Sequence, residues 1–193
     1  YADLERRIAA AKQNAARMAK AEAWTQRYLA LPGVTLKTQR PFVVNCFVLY
    51  QVFKDLLREH GAGSFTIGGC MQAVMPVAET TACLTLSLLQ DEGQIAFCES
   101  DFDSHPAGVL LRYISGKPVF MHNPTFPYKG IVTCAHCACP RRMDGTTYEP
   151  IDVVTHYESD YGAATKVTIP AGRTVTVINP DCAQMRWLGF RGR

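Results

Sequence analysis

Several familiar signatures are missing from this chain, and each absence narrows what to expect. No apolar run approaches the roughly 20 residues that span a bilayer as a helix. No block of Lys or Arg is present and the net charge is only +3, so the electrostatic footprint of a nucleic-acid-binding protein is lacking. The glycine pair Gly68-Gly69 is not part of a G-x-G-x-x-G run, which removes the dinucleotide fingerprint. There is no G-x-S-x-G elbow around which to build a Ser/His/Asp triad. Cys134-x-x-Cys137 has no second knuckle, since Cys182 stands alone downstream, so the paired spacing of a structural zinc module is incomplete. Pro140-Arg141-Arg142 does not open a helix after that pair, as a thioredoxin-like redox motif requires. No signal-peptide pattern is visible at the start. These absences lead us to expect a cytoplasmic protein with neither nucleic-acid nor membrane partners.

What is present supports a real core. Apolar residues make up 48% of 193 residues, enough for one large domain or two small ones. Eight cysteines is a high count, but their uneven spacing and the large apolar inventory favour reduced thiols over a disulfide framework. The chain opens inside a helical pattern without a methionine and stops at Arg191-Gly192-Arg193, soon after a strand-like run. A fragment of a longer protein is expected.

Leu4, Ile8, Ala11, Ala15 and Met18 recur at helical spacing, and Trp24, Tyr28 and Leu31 continue the stripe with a phase shift, giving one helix or two short ones before Pro32-Gly33. Phe42, Cys46, Leu49, Phe53 and Leu56 form a second stripe ending near His60. Ser64 to Ile67 reads as a short strand. Val77 to Leu89 reads as a helix with Glu79 in its first turn. Gln94 to Cys98 is a strand, residues 106 to 114 a helix and Pro118 to Met121 a strand. This alternation is the grammar of a mostly parallel sheet with helices on its faces. Beyond the proline-rich stretch His122 to Tyr128 the pattern turns to short strands: Gly130–His136, Ile151–Tyr157, Ala164–Ile169, Arg173–Ile178 and Met185–Leu188. The predicted architecture is α/β: an incomplete Rossmann-like layer over residues 1–128, followed by a small antiparallel β-barrel domain over residues 129–193, truncated at its C-terminus.

Phe97-Cys98-Glu99-Ser100-Asp101-Phe102-Asp103-Ser104-His105-Pro106 is the densest chemical stretch. Ser104 and Pro106 fit the start of the following helix. Capping does not account for Glu99 and Asp101 directly after an apolar strand, where open α/β sheets bind ligands. If the strands before Glu79 and before Asp101 are neighbours, right-handed crossovers bring both carboxylates to one sheet edge. Two carboxylates so placed suit a hard divalent cation. His105, His136, Arg141 and His156 are candidate supporting or substrate-binding groups.

Ala82-Cys83-Leu84-Thr85-Leu86-Ser87-Leu88-Leu89, Asp91-Glu92-Gly93, Cys98-Glu99-Ser100-Asp101 and Leu111-Arg112-Tyr113-Ile114-Ser115-Gly116-Lys117-Pro118-Val119-Phe120 together resemble the middle region of the L-fucose isomerase and L-arabinose isomerase-like proteins. Gly130-Ile131-Val132-Thr133-Cys134-Ala135-His136-Cys137 and His156-Tyr157-Glu158-Ser159 extend the likeness into that family's barrel domain. The resemblance implies an intramolecular oxidoreductase that interconverts an aldose and a ketose through an enediol. It also implies a divalent cation, typically manganese, a small-molecule sugar as substrate, and a homo-oligomer with sites near subunit interfaces. On the resemblance, Glu79 and Asp101 are the metal-binding and catalytic carboxylates and Glu99 supports them. The family's metal-binding histidine lies in a far C-terminal segment that has no counterpart in this sequence, so His156 is at best a substitute. Two further readings accompany it: a non-catalytic carbohydrate-binding or regulatory relative, and a structural zinc module around Cys134 and His136.

Overall fold

Helix α3 (Arg40–Glu59) is the element on which α1 (Ala2–Gln13), α2 (Ala15–Leu29), α4 (Met75–Ala78) and α5 (Cys83–Asp91) pack. It buries a nearly continuous surface, including Val43, Cys46, Leu49, Val52 and Phe53, so it is a core helix rather than a surface helix with one apolar stripe. The computed structural model describes residues 1–193. Two N-terminal helices, α1 (Ala2–Gln13) and α2 (Ala15–Leu29), lie against α3. The phase shift between their stripes has a local cause. Asn14 leaves the helical conformation, and its side-chain oxygen accepts from Ala16 N and Arg17 N, capping α2. Trp24 and Tyr28 of α2 then reach the Phe47 ring of α3.

After β1 (Val34–Leu36) and α3 comes β2 (Ser64–Thr66), which runs parallel to β3 (Ile95–Phe97). The expected helix over Val77–Leu89 is broken in two. A π-helical turn, Cys70–Val74, leads into the short α4 (Met75–Ala78), and α5 (Cys83–Asp91) begins only after Glu79-Thr80-Thr81-Ala82. Glu79 therefore sits at the C-terminal end of α4, at φ 53°, and not in the first turn of a long helix. The two buried threonines that follow account for the break. Thr80 Oγ lies 3.3 Å from Cys46 Sγ, and Thr81 Oγ donates to Ala163 O at 3.1 Å. Such side-chain bonds compete with helix continuation.

Helix α6 (Ser104–Ser115) follows the acidic turn and packs on β3. The strand expected over Pro118–Met121 lies further along, as β4 (Asn123–Tyr128), which pairs antiparallel with β5 (Ile131–Ala135). The remaining strands are β6 (Ile151–Val154), β7 (Ala164–Val167), β8 (Val175–Asp181) and β9 (Arg186–Gly192).

The predicted barrel is absent. The strands form one three-stranded sheet in the order β1-β6-β7 and three separate pairs, β2-β3, β4-β5 and β8-β9, and no sheet closes on itself. Two physical reasons stand out. β6, placed by expectation in the barrel, pairs parallel with β1 and antiparallel with β7 beneath the N-terminal helices. The β4-β5 hairpin is largely exposed along both strands, and β4 carries Pro124 and Pro127, which cannot donate to a further ladder. The full parallel layer is also absent, since only β1-β6 and β2-β3 run parallel. The pairing of β1 with β6 and the 29-residue core, which includes Ala138, Ile151 and Ala164, both cross residue 128. No single helix is long and apolar enough to cross a membrane.

Candidate functional site

The carboxyl ends of β2 and β3 lie side by side, and the chain leaves both through tight turns. After β2, Gly69 takes φ 55°, and Gly68 leaves room for Ser100, whose Oγ would stand 2.6 Å from any Cβ added at residue 68. After β3, Glu99 and Ser100 are both left-handed, at φ 68° and 50°, and Ser100 N donates to Ile67 O at 2.8 Å. Left-handed backbone at consecutive non-glycine residues is disfavoured and is concentrated at functional sites.

The three acidic groups of interest have different partners. Asp101 starts α6: its Oδ1 accepts from Asp103 N and Ser104 N, both at 2.9 Å, and its Oδ2 accepts from Ser104 Oγ. Burial pushes the Asp101 carboxyl up, but these donors outweigh it and hold the group below the usual carboxylate range. The capping acceptor is thus Asp101, and Ser104 is a donor in the first turn. Glu79, largely exposed, pairs with Lys12 Nζ at 3.0 Å. Glu99 faces His136, with Oε1 3.4 Å from Nε2.

His136 is 6% exposed in its side chain, against 51% for Glu99. Burial alone lowers the imidazole pKa. The neighbouring Cys137 and Glu99 more than offset this, and the net shift is upward. His136 Nδ1 lies 3.7 Å from Cys137 Sγ. A carboxylate and a histidine from distant parts of the chain are thereby coupled to a thiol centre that the sequence did not reveal.

That centre is formed by Cys83, Cys137 and His156, whose ligand atoms all lie within 4.8 Å of one another. Cys83 opens α5, Cys137 follows β5, and His156 follows β6. Cys83 Sγ donates to Cys137 Sγ at 3.2 Å. His156 Nδ1 lies 3.2 Å from Ser159 Oγ, and the residue is buried. The donor set is a potential tridentate site for a divalent cation. Two further thiols adjoin it. The neighbouring Cys83 and then Cys98 lower the Cys70 thiol from its ordinary range, and the S–H of Cys83, donated to Cys137, lowers the Cys137 thiol. The Cys83 and Cys98 thiols are displaced upward.

The remaining expected residues serve the framework. His105 lies in the first turn of α6 with its ring edge-on to Phe97, and burial depresses its pKa. Arg141 is buried, and its guanidinium donates to Glu149 O at 2.8 Å and Pro32 O at 3.3 Å, tying two loops together. A cavity of about 410 Å³ lies between α1, α3 and β2 and reaches Gly68 and Ser100 at one end, but its walls, with Leu4, Phe53, Leu57 and Phe65, are apolar.

Cys70 and Cys83 were missed as site residues. Cys83 looks like any other member of an apolar stripe, and it meets Cys137 across 54 residues of chain. Comparison with protein-family models, curated proteins and solved structures finds no match for this chain.

Proposed function

We propose that this chain belongs to a metal-dependent sugar isomerase of the L-fucose/L-arabinose isomerase-like kind, interconverting an aldose and a ketose through an enediol. The observation that supports this most is the Glu99–His136 pair, set on left-handed backbone at the carboxyl end of β3. Moving a carbonyl between C1 and C2 requires a base to take a carbon-bound proton from one carbon and return it to the other. Glu99 suits that task, since its carboxylate is half-exposed and its side-chain partner is a histidine. His136, buried and with its pKa raised, supports that carboxylate as its cationic partner.

A divalent cation bound to the sugar oxygens acidifies that proton. Manganese, implied by the resemblance, prefers oxygen donors, and the resemblance offers Glu79, Glu99 and Asp101 as the carboxylates. Glu79 is paired with Lys12, and Asp101 is bound by the start of α6, which leaves Glu99 the freest of the three. The substrate is a small sugar, and the protein is a cytoplasmic homo-oligomer. The exposed Trp187, Leu188 and Phe190 of β9 provide apolar surface for self-association.

The test is metal analysis together with an aldose/ketose panel on the full-length protein. Conversion of a pentose or 6-deoxyhexose that is lost in Glu99→Gln supports the proposal. Absence of metal uptake together with absence of any conversion overturns it. The engagement of Asp101 by backbone N–H groups favours one second reading, a carbohydrate-binding relative without catalysis. It predicts sugar binding by calorimetry with no turnover.

A further inference from the structure

We infer that Cys83, Cys137 and His156 form a binding site for a borderline-soft divalent cation of the zinc class, with donors distinct from the carboxylates of the acidic turn, to which His136 links it. The three donors come from the start of α5, the segment after β5 and the segment after β6, and their ligand atoms lie within 4.8 Å of one another. Tetrahedral zinc has Zn–S distances of about 2.3 Å and Zn–N distances of about 2.0–2.1 Å, which places donor atoms roughly 3.4–3.8 Å apart. Cys83 and Cys137 stand at 3.2 Å, so a widening of about half an ångström, within the freedom of a cysteine rotamer, admits the ion.

The chemistry of the donor set selects the metal class. Two sulfurs and an imidazole match zinc and disfavour manganese, magnesium or calcium, which prefer oxygen. Two thiols in contact, with two imidazoles alongside (His136 Nδ1 is 3.7 Å from Cys137 Sγ), form an environment that readily gives up a proton. Binding of Zn²⁺ breaks the S–H bonds of Cys83 and Cys137, releases both protons to solvent and forms two Zn–S bonds and one Zn–N bond. Such proton release makes affinity rise with pH.

The fourth position falls to water. The ion cross-links three segments that are far apart in the chain, so bound zinc stabilises the fold.

The full chain, reduced and stripped with chelator, is titrated with zinc chloride, and with cobalt chloride as a spectroscopic probe. The expected result is one equivalent bound per chain, a thiolate-to-cobalt charge-transfer band, tetrahedral d–d intensity, and a melting temperature that rises with metal concentration. Cys83→Ser and Cys137→Ser each reduce the charge-transfer band by about half, in proportion to the thiolates lost. Each also weakens binding by more than the roughly 10–100-fold that removing a ligand's hydrogen-bond partner costs. His156→Asn keeps the band but weakens binding, and Cys182→Ser leaves both unchanged. If the serine variants fail to fold, thiol alkylation mapped by mass spectrometry on the unaltered chain decides: zinc must protect Cys137, the more accessible of the two thiol ligands, and leave Cys134 and Cys182 reactive. Absence of a charge-transfer band, equal alkylation with and without zinc, or protection confined to other cysteines overturns the proposal.

Discussion

Gly108→Ala probes how firmly the acidic turn is held. Gly108 lies in α6 where the helix crosses the Phe97 ring, and an added Cβ would fall on Phe97 Cε2 and Cζ, well inside the 3.0 Å that real Cβ atoms keep. Phe97 is 3% exposed and its ring has no free side to turn toward. Two effects compete. Alanine in a helix interior gains about 1 kcal/mol over glycine. Overpacking a closed core costs about 1–3 kcal/mol, or more where the neighbour is a rigid ring. The clash should win, with a net loss of about 1–2 kcal/mol in urea unfolding. Phe97→Leu removes the two offending ring atoms. The double variant Gly108→Ala/Phe97→Leu should therefore be more stable than the sum of the single effects by about 1 kcal/mol. A Gly108→Ala protein as stable as the unaltered chain, or a double variant that is simply additive, would refute the reasoning. Phe97 leads directly into Cys98 and Glu99, so the same clash should also disturb the carboxylate edge.

Three further outcomes are expected. Burial raises the pKa of Asp91 from 3.8 to about 6, although Arg142 N donates to it at 2.8 Å. Its contribution to stability is therefore fully present below about pH 3.8 and lost as pH rises through about 6, a cost of about 3 kcal/mol at 1.36 kcal/mol per pH unit. Asp91→Asn keeps an acceptor for Arg142 N, so in denaturant titrations it should gain about 2–3 kcal/mol on the unaltered chain between about pH 4 and pH 8; a constant difference would show that Asp91 is not the source. Glu99→Gln should lower kcat/KM on any converted sugar by about 10²-fold or more, the usual scale of acid–base help, in steady-state assays. Ser87 Oγ and Thr165 Oγ both donate to Cys139 O, at 2.8 and 3.0 Å. Ser87→Ala should therefore cost only about 1 kcal/mol, while adding Thr165→Val should cost more than the two single changes combined, since the carbonyl is then left without either donor.

The helical stripes were legible because their signal is local. Phe42, Cys46, Leu49 and Phe53 mark α3, and Asn14 explains the phase shift that precedes α2. The acidic turn was legible too, because its charge density contradicts the apolar strand before it. The barrel was not legible as wrong, because nothing in Ile151-Asp152-Val153-Val154 says that its partner is Val34-Thr35-Leu36 rather than a later strand. The thiol centre was hidden for a related reason. Cys83 satisfies the apolar pattern of a core helix, and a cysteine behaves as a small hydrophobe until a second thiol is brought against it. Glu79 was misplaced because helical periodicity does not register the hydroxyl bonds of Thr80 and Thr81.

The parallel pairing of β1 with β6 also governs how the chain must assemble. Val34 and Ile151 are register partners separated by more than a hundred residues. Loop-closure entropy has to be overcome before that contact returns any energy, and such distant pairings slow folding. A ribosome delivers about 5–20 residues per second, so β1 waits several seconds or more without its neighbour while α3, α5 and α6 emerge. During that interval the edge of β1 is uncovered. An N-terminal piece ending before β6 would keep that edge permanently open, and its expected fate is aggregation rather than independent folding.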